Sequence, residues 1–295
     1  MIGRNEDRPA GGRKREMTMD GVGAGAGYRA ITVTPWSPAV GAEIGNIDLT
    51  RPLSDLELTE LKHAFTDHLV LFFRDQKISF ADHARLAEYF GSIGQHVGRK
   101  TNSQTTDDPR VRKFHADGDT PRVSGNVWHT DQSCAPIPPL ASILYLHTVP
   151  PDGGGDTGFA SMYAAYEGLS DRMKTYLEGL TAVHDGAHVF GEGTPRAVHP
   201  VIARHPDSGR KLIYVNSSFT TRINELSRQE SDAILRFLHE HCIRPEWTTR
   251  FRWEPHSIAF WDNRCAQHRA IADYLPHVRS GYRVQIEGTV APVAG

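Results

Sequence analysis

From Arg29 onward, short runs of aliphatic, aromatic and β-branched residues alternate with turn-forming residues. They are AITVTPW (30–36), HLVLFFR (68–74), SILYLHTV (142–149), HPVIARH (199–205), KLIYVN (211–216), TTRFRWEP (248–255), SIAFWDN (257–263) and RVQIEGTV (283–290). Each run has the length and composition of a β-strand. Three amphipathic stretches interrupt them, each opened by a serine with an acidic residue three positions on. These are Ser54 with Glu57, Ser79 with Asp82 in a stretch closing at Gly91, and Ser227 with Glu230. That spacing is a capping box, so a helix is predicted after each serine. A fourth helix is predicted over about 161–179. The strands are too closely spaced for a regular βαβ alternation, so the expected fold is mostly β with added helices, a sandwich or jelly roll.

Residues 1–28 are rich in Gly, Arg and acids and have no apolar period, which predicts a disordered N-terminal tail; 29–295 is read as one domain. At 295 residues and 39% hydrophobic content the chain can bury a core without staples. The net charge of -2, with Lys and Arg scattered among acids, argues against a nucleic-acid partner. No apolar run reaches the roughly 18 residues of a membrane span, and no secretory leader is visible, so a cytoplasmic location is expected. Three cysteines with no CxxC support neither a disulfide framework nor a zinc knuckle.

The candidate chemistry begins at NVWHTDQS (126–133). In an extended segment His129 and Asp131 project from one face, about 7 Å apart. That pair does not complete a metal site. SIAFWDN, however, leads to His268, and Arg279 and Arg283 follow four residues apart, on one face of a strand if extended. Two histidines and one carboxylate form the facial triad that binds non-haem Fe(II) with positions left open. Zinc could take the same ligands. Paired arginines beside such a site imply an anionic ligand.

With these residues in view, the sequence resembles the taurine dioxygenase-like (TauD/TfdA) group of Fe(II)/2-oxoglutarate dioxygenases, which includes alkylsulfatases and phenoxyalkanoate dioxygenases. The resemblance rests on GAEIGNIDL (41–49), LVLFFRDQ (69–76), WHTDQS (128–133), GGGDTGFASMYAAYEGLS (153–170), HPVIARHPDSGRKLIYVN (199–216) and WDNRCAQHRAIADY (261–274). It implies a double-stranded β-helix (jelly roll) core, with His129, Asp131 and His268 as iron ligands. It implies that Thr157 and Arg279 hold the distal carboxylate of 2-oxoglutarate. Arg283 would be shared between that cosubstrate's metal-side carboxylate and an anionic substrate, and His96 would contact a sulfonate or sulfate. Arg99 stands where the taurine enzymes carry a tyrosine and Gly125 where they carry an asparagine, which argues against taurine itself. Arg99, Lys100 and Arg122 would make a cationic mouth.

The resemblance further implies O2 as co-reactant, with succinate and CO2 released as a C–H bond is hydroxylated and the product in some cases collapsing. Sulfonates and alkyl sulfates rank ahead of phenoxyalkanoates or a biosynthetic intermediate, and a homo-oligomer, dimer or tetramer, is implied. Trp128, Phe260 and Trp261 are expected to wall the site, and Asp262 and Asn263 to orient His268 or its loop. The connection 183–200 reads as a shortened lid. The rival readings are a zinc hydrolase, indifferent to oxygen, and a non-catalytic jelly-roll binding protein.

Overall fold

The structure is a computed structural model that describes residues 27–94, 106–120 and 123–295. Most of the tail, together with His96, Arg99, Lys100 and Arg122, lies outside the described residues. In chain order the elements are β1 (Thr32–Pro35), β2 (Ala42–Gly45), α1 (Asp55–His68), β3 (Val70–Phe73), α2 (Phe80–Glu88), β4 (Arg112–Ala116), β5 (Ala141–Thr148) and β6 (Thr157–Ser161). Then come α3 (Met162–Glu167), α4 (Asp171–Leu177), β7 (Thr181–Asp185), α5 (Ala187–Phe190), β8 (Arg196–Pro200), β9 (Ile202–Arg204), β10 (Lys211–Ile213) and β11 (Thr220–Ile223). The chain closes with α6 (Arg228–Cys242), β12 (Thr248–Phe251), β13 (Ser257–Asp262), β14 (Ala266–Ala270), β15 (Arg279–Ile286) and β16 (Val293–Ala294).

Seven strands form one large sheet in the order β1-β2-β3-β13-β5-β15-β4. Three small sheets oppose it: β12-β6-β14, β11-β7-β8 and β10-β9-β16. The result is a jelly roll. Inside the large sheet β3 is buried on both faces, which explains why its VLFF is apolar at every position. Val70 and Phe72 enter the core shared with the small sheets, alongside Phe159, Trp261 and Ala266. Leu71 and Phe73 enter a second core with Leu61 and Phe65 of α1 and Leu86 of α2.

All three capping boxes form, with the side chains of Ser54, Ser79 and Ser227 each accepting from the backbone N–H three residues on and their own backbone N–H donating to the acid in return. Two predicted elements differ. The stretch 161–179 is two helices, because Gly168 ends the first against Trp247 and Ser170 caps the second. The run 199–205 divides at Val201 into β8 and β9, which belong to different sheets. Helix α2 stops at Glu88, before Gly91. Among the described residues no helix is long and apolar enough to cross a membrane.

Candidate metal centre and anion pocket

His129 belongs to no strand; it makes a single antiparallel bridge to β14. Its N–H donates to His268 O at 3.0 Å, and His268 N–H donates to His129 O at 2.9 Å. Residues so paired carry their side chains on the same face. The two imidazole centroids are accordingly 4.2 Å apart. Asp131, two residues on, returns to that face. The side chains of His129, Asp131 and His268 are 12%, 4% and 7% exposed.

The tautomers follow from the surroundings. His129 Nδ1 lies 2.7 Å from Val127 O and must carry the hydrogen, so Nε2 keeps its lone pair. His129 Nε2 and His268 Nε2 stand 3.7 Å and 3.8 Å from Asp131 Oδ1, too far for hydrogen bonds. Burial lowers the pKa of His129 and pushes that of His268 well down, so both rings are neutral. Burial alone would raise the Asp131 carboxyl, but the Arg283 guanidinium beside it outweighs this and holds it far below the usual carboxylate range. Asp131 Oδ2 is occupied, accepting from Ser142 Oγ at 2.8 Å and from Arg283 Nη2. Two lone pairs and one carboxylate oxygen thus converge with no proton between them, a set that a divalent cation satisfies. His268 Nδ1 has no partner among the described residues.

Further along this face lies Thr157, with Arg279 against it. In β6, Thr157 pairs with Ala270 while Phe159 pairs with His268, so Thr157 sits on the same face as Phe159, about 7 Å further along. Its Oγ1 accepts from Trp253 Nε1 at 3.0 Å and from Arg279 Nη2 at 3.4 Å. With both lone pairs taken, the Thr157 hydroxyl hydrogen is left to donate elsewhere. Arg279 is 2% exposed, has no carboxylate against it among the described residues, and lies over the rings of Phe114, Trp253 and Tyr274. Burial pulls its pKa down to about 10, with Tyr274 and the more distant Asp156 opposing the shift. Asp156 is already bonded to Arg250. The GGG turn is needed here: Gly155 has φ +80, and a Cβ on it would stand 2.9 Å from Arg279 Cδ.

The walls differ in part from expectation. Trp261 lies against His268, centroids 4.6 Å apart, and under Arg283 at 5.3 Å. Phe260 does not wall the site; alternation along β13 turns it into the second core, stacked on Phe65 at 4.2 Å. Trp128 packs against the first core, under Arg269 at 5.9 Å. Asp262 does not touch His268; it accepts from Arg264 and pairs with His205 Nε2 at 3.1 Å. Asn263 acts at one remove from Asp131, donating through Nδ2 to Ser142 Oγ at 3.3 Å. Sequence reasoning missed Ser142, Trp253, Tyr274 and Gln285. It also missed His184 and His199, which bond Ser133 Oγ at 2.9 Å and the carbonyls of Ser133 and Ala135, tying the loop after Asp131 to β7 and β8.

A jelly roll that brings two histidines and an aspartate to one point, with a buried arginine beyond them that has no carboxylate partner among the described residues, has the makings of a metal-dependent oxygenase. The chain belongs to the Taurine catabolism dioxygenase TauD, TfdA family, which matches residues 32–285. It is an oxidoreductase, a dioxygenase dependent on Fe(II), 2-oxoglutarate (alpha-ketoglutarate) and O2. It is 36% identical to a taurine dioxygenase of known crystal structure from Burkholderia xenovorans, with a TM-score of 0.80 over 90% of this chain and 92% of that one. AAD-2, solved in complex with Mn(II) and N-oxalylglycine, is 28% identical, with a TM-score of 0.75 over 89% of this chain and 99% of that one. The alpha-ketoglutarate-dependent sulfate ester dioxygenase of Pseudomonas putida is 31% identical over 279 residues, 88% of this chain and 90% of that protein.

Proposed function

We propose that this dioxygenase hydroxylates an anionic small molecule, a sulfonate or alkyl sulfate, and that His129 Nε2, Asp131 Oδ1 and His268 Nε2 hold its iron. When bound, Fe(II) with 2-oxoglutarate and O2 supplies the hydroxylating chemistry, with succinate and CO2 as co-products. The chain's own part is positioning. Arg279 and the free Thr157 hydrogen fix the distal carboxylate of the cosubstrate, since a guanidinium and a hydroxyl satisfy a buried carboxylate without a pKa penalty. Arg283 Nε, buried and without a partner among the described residues, remains for a second anionic group.

The observation that carries the substrate class is the charge balance. Among the described residues, two guanidiniums and the proposed divalent ion face a single carboxylate, Asp131, because both histidines are neutral and Asp156 is paired with Arg250. Three positive charges remain, and a dicarboxylate cosubstrate cancels two. An anionic substrate cancels the third; a cationic one would add to it. That sulfonates and alkyl sulfates stand first within this class rests on the resemblance to taurine and sulfate ester dioxygenases. The assignment of His96 and Arg99 to the substrate rests on sequence position.

The test is a panel of sulfonates, sulfate esters and aryloxy acids scored by stimulated 2-oxoglutarate consumption under Fe(II). Stimulation by sulfonates or sulfate esters is expected. Stimulation by aryloxy acids alone would move the chain to the phenoxyalkanoate type, and stimulation only by neutral or cationic compounds would overturn the reading. His268→Ala is expected to abolish both Mn(II) binding and turnover, and a variant that keeps either removes His268 from the ligand set.

A further inference from the structure

We infer that Ser142 is a positioning residue that holds Asp131 to a single metal-facing oxygen. The inference rests on the metal reading proposed above. Ser142 is fully buried on β5, in register with Trp261 of β13 on one side and Gln285 of β15 on the other. Alternation puts its side chain on the face shared by Trp261, Arg283 and Gln285. Its Oγ lies 2.8 Å from Asp131 Oδ2, 3.0 Å from Arg283 Nη2, 3.3 Å from Asn263 Nδ2 and 3.3 Å from Gln285 Nε2.

The direction of the hydroxyl hydrogen follows from these partners. Arginine can only donate. The Asn263 amide is oriented by Trp261 Nε1, which can only donate and does so to Asn263 Oδ1 at 3.0 Å. Gln285 Oε1 accepts from Gln132 Nε2, which turns Gln285 Nε2 toward Ser142. Three donors therefore face the two lone pairs of Ser142 Oγ. Its one hydrogen has a single acceptor left, Asp131 Oδ2.

Two donors, Ser142 and Arg283, thus anchor Oδ2 and stop the carboxylate from rotating about its Cβ–Cγ bond. Oδ1 stays toward the two imidazole lone pairs. A carboxylate free to turn could offer both oxygens to one ion and take up a position that the cosubstrate needs. Arg283 cannot do this alone if its remaining N–H groups are to serve an anion. The serine divides the work: it holds the aspartate, and the arginine is free to hold the ligand as well.

The experiment measures Mn(II) affinity of the full-length protein by electron paramagnetic resonance, with thermal melting of the metal-free protein as control. Ser142→Ala and Ser142→Cys are expected to weaken Mn(II) binding by about 10- to 100-fold, the usual effect of losing a group that orients a metal ligand. Ser142→Cys keeps a single donor hydrogen but makes it a weak one, on a somewhat larger atom. Ser142→Thr, which keeps the hydroxyl, is expected to bind within about threefold of the parent. Affinity within about threefold of the parent in Ser142→Cys would overturn the inference, and so would a folded Ser142→Thr that binds no better than Ser142→Cys. Should Ser142→Ala fail to fold, Ser142→Cys decides. A parent protein that binds no Mn(II), or binds it equally with His268→Ala, would instead fail the metal reading itself, and this inference with it.

Discussion

Arg279 allows stability and ligand binding to be predicted separately. Its guanidinium is buried without a counter-ion among the described residues, and the depression of its pKa to about 10 corresponds to roughly 3 kcal/mol of desolvation. The group is charged in folded and unfolded chains alike near neutrality, so this cost is present at all pH below the folded pKa and lost only above it. The three rings at 4.9, 5.4 and 5.9 Å return about 0.5–1 kcal/mol each. The opposing contributions nearly cancel. Arg279→Met, of similar length and uncharged, should therefore leave the ligand-free melting temperature within about 3 °C of the parent. Ligand binding should collapse. Deleting one partner of a buried charge pair costs about 3–5 kcal/mol, which weakens 2-oxoglutarate binding roughly 10²- to 4 × 10³-fold. Anaerobic melts with Mn(II) over a 2-oxoglutarate series read both at once. The parent should gain about 2.7 kcal/mol at a ligand concentration a hundred times its dissociation constant, and the variant should stay flat over that range. A ligand-free variant destabilised by about 3–5 kcal/mol would make Arg279 a structural tie and refute the argument. Equal stabilisation of both proteins by 2-oxoglutarate would refute it as well.

Thr157→Val should weaken 2-oxoglutarate by about 10- to 100-fold through loss of one hydrogen bond to a charged group, while Thr157→Ser should stay close to the parent. Calorimetric titration with Mn(II) present decides, and a valine variant of unchanged affinity would take Thr157 out of the pocket. Acid stability should follow the buried histidines His83 and His184, whose pKa values burial pushes down to about 4 and about 3. Because the unfolded chain binds these protons near pH 6.5, stability should be full above that value and fall as the pH drops toward 4, by about 2 kcal/mol per group at pH 5. Urea midpoints equal at pH 7 and pH 5 would contradict this.

The strands and helices were legible where local pattern and global burial agree. Apolar runs bounded by turns became strands, and all three capping boxes became helix starts, because a serine and an acid three residues on satisfy backbone groups that any helix leaves open. The helix over 161–179 was misjudged, although Gly168 and Ser170 carried the stop and restart. Phe260 and Trp261 could not both face the site, since neighbours on a strand point to opposite faces, and period two alone would have chosen between them. The convergence of His129 with His268 was legible only through the resemblance and not from periodicity, because it depends on one backbone bridge, which leaves no periodic trace. Ser142 was readable in part, as a polar residue of the same parity as core-facing Leu144 and Leu146. Its neighbours Arg283 and Gln285 become visible only once β5 and β15 are paired.

The atoms this protein leaves unpaired are as informative as those it pairs. Among the described residues, the buried side-chain atoms without a hydrogen-bond partner include Arg279 Nε, Arg283 Nε, Tyr274 Oη, His268 Nδ1, Arg269 Nε and Asp156 Oδ1. Folded proteins leave few such groups, and each costs free energy while empty. These six lie on or beside β14, β15 and the GGG turn, whereas two others, His83 Nδ1 and His239 Nε2, belong to α2 and α6. Strands that bury donors without acceptors cannot relax to satisfy them, because the backbone on both sides is tied into the sheet. On the reading proposed above, the unmet donors Arg279 Nε and Arg283 Nε await an anionic ligand and discriminate among ligands. A site built around buried donors rejects an analogue that lacks the matching acceptor far more strongly than an apolar pocket rejects a missing methylene. Replacing the distal carboxylate of the cosubstrate by an amide leaves the Arg279 charge uncompensated, so such an analogue should bind worse than its size alone would suggest.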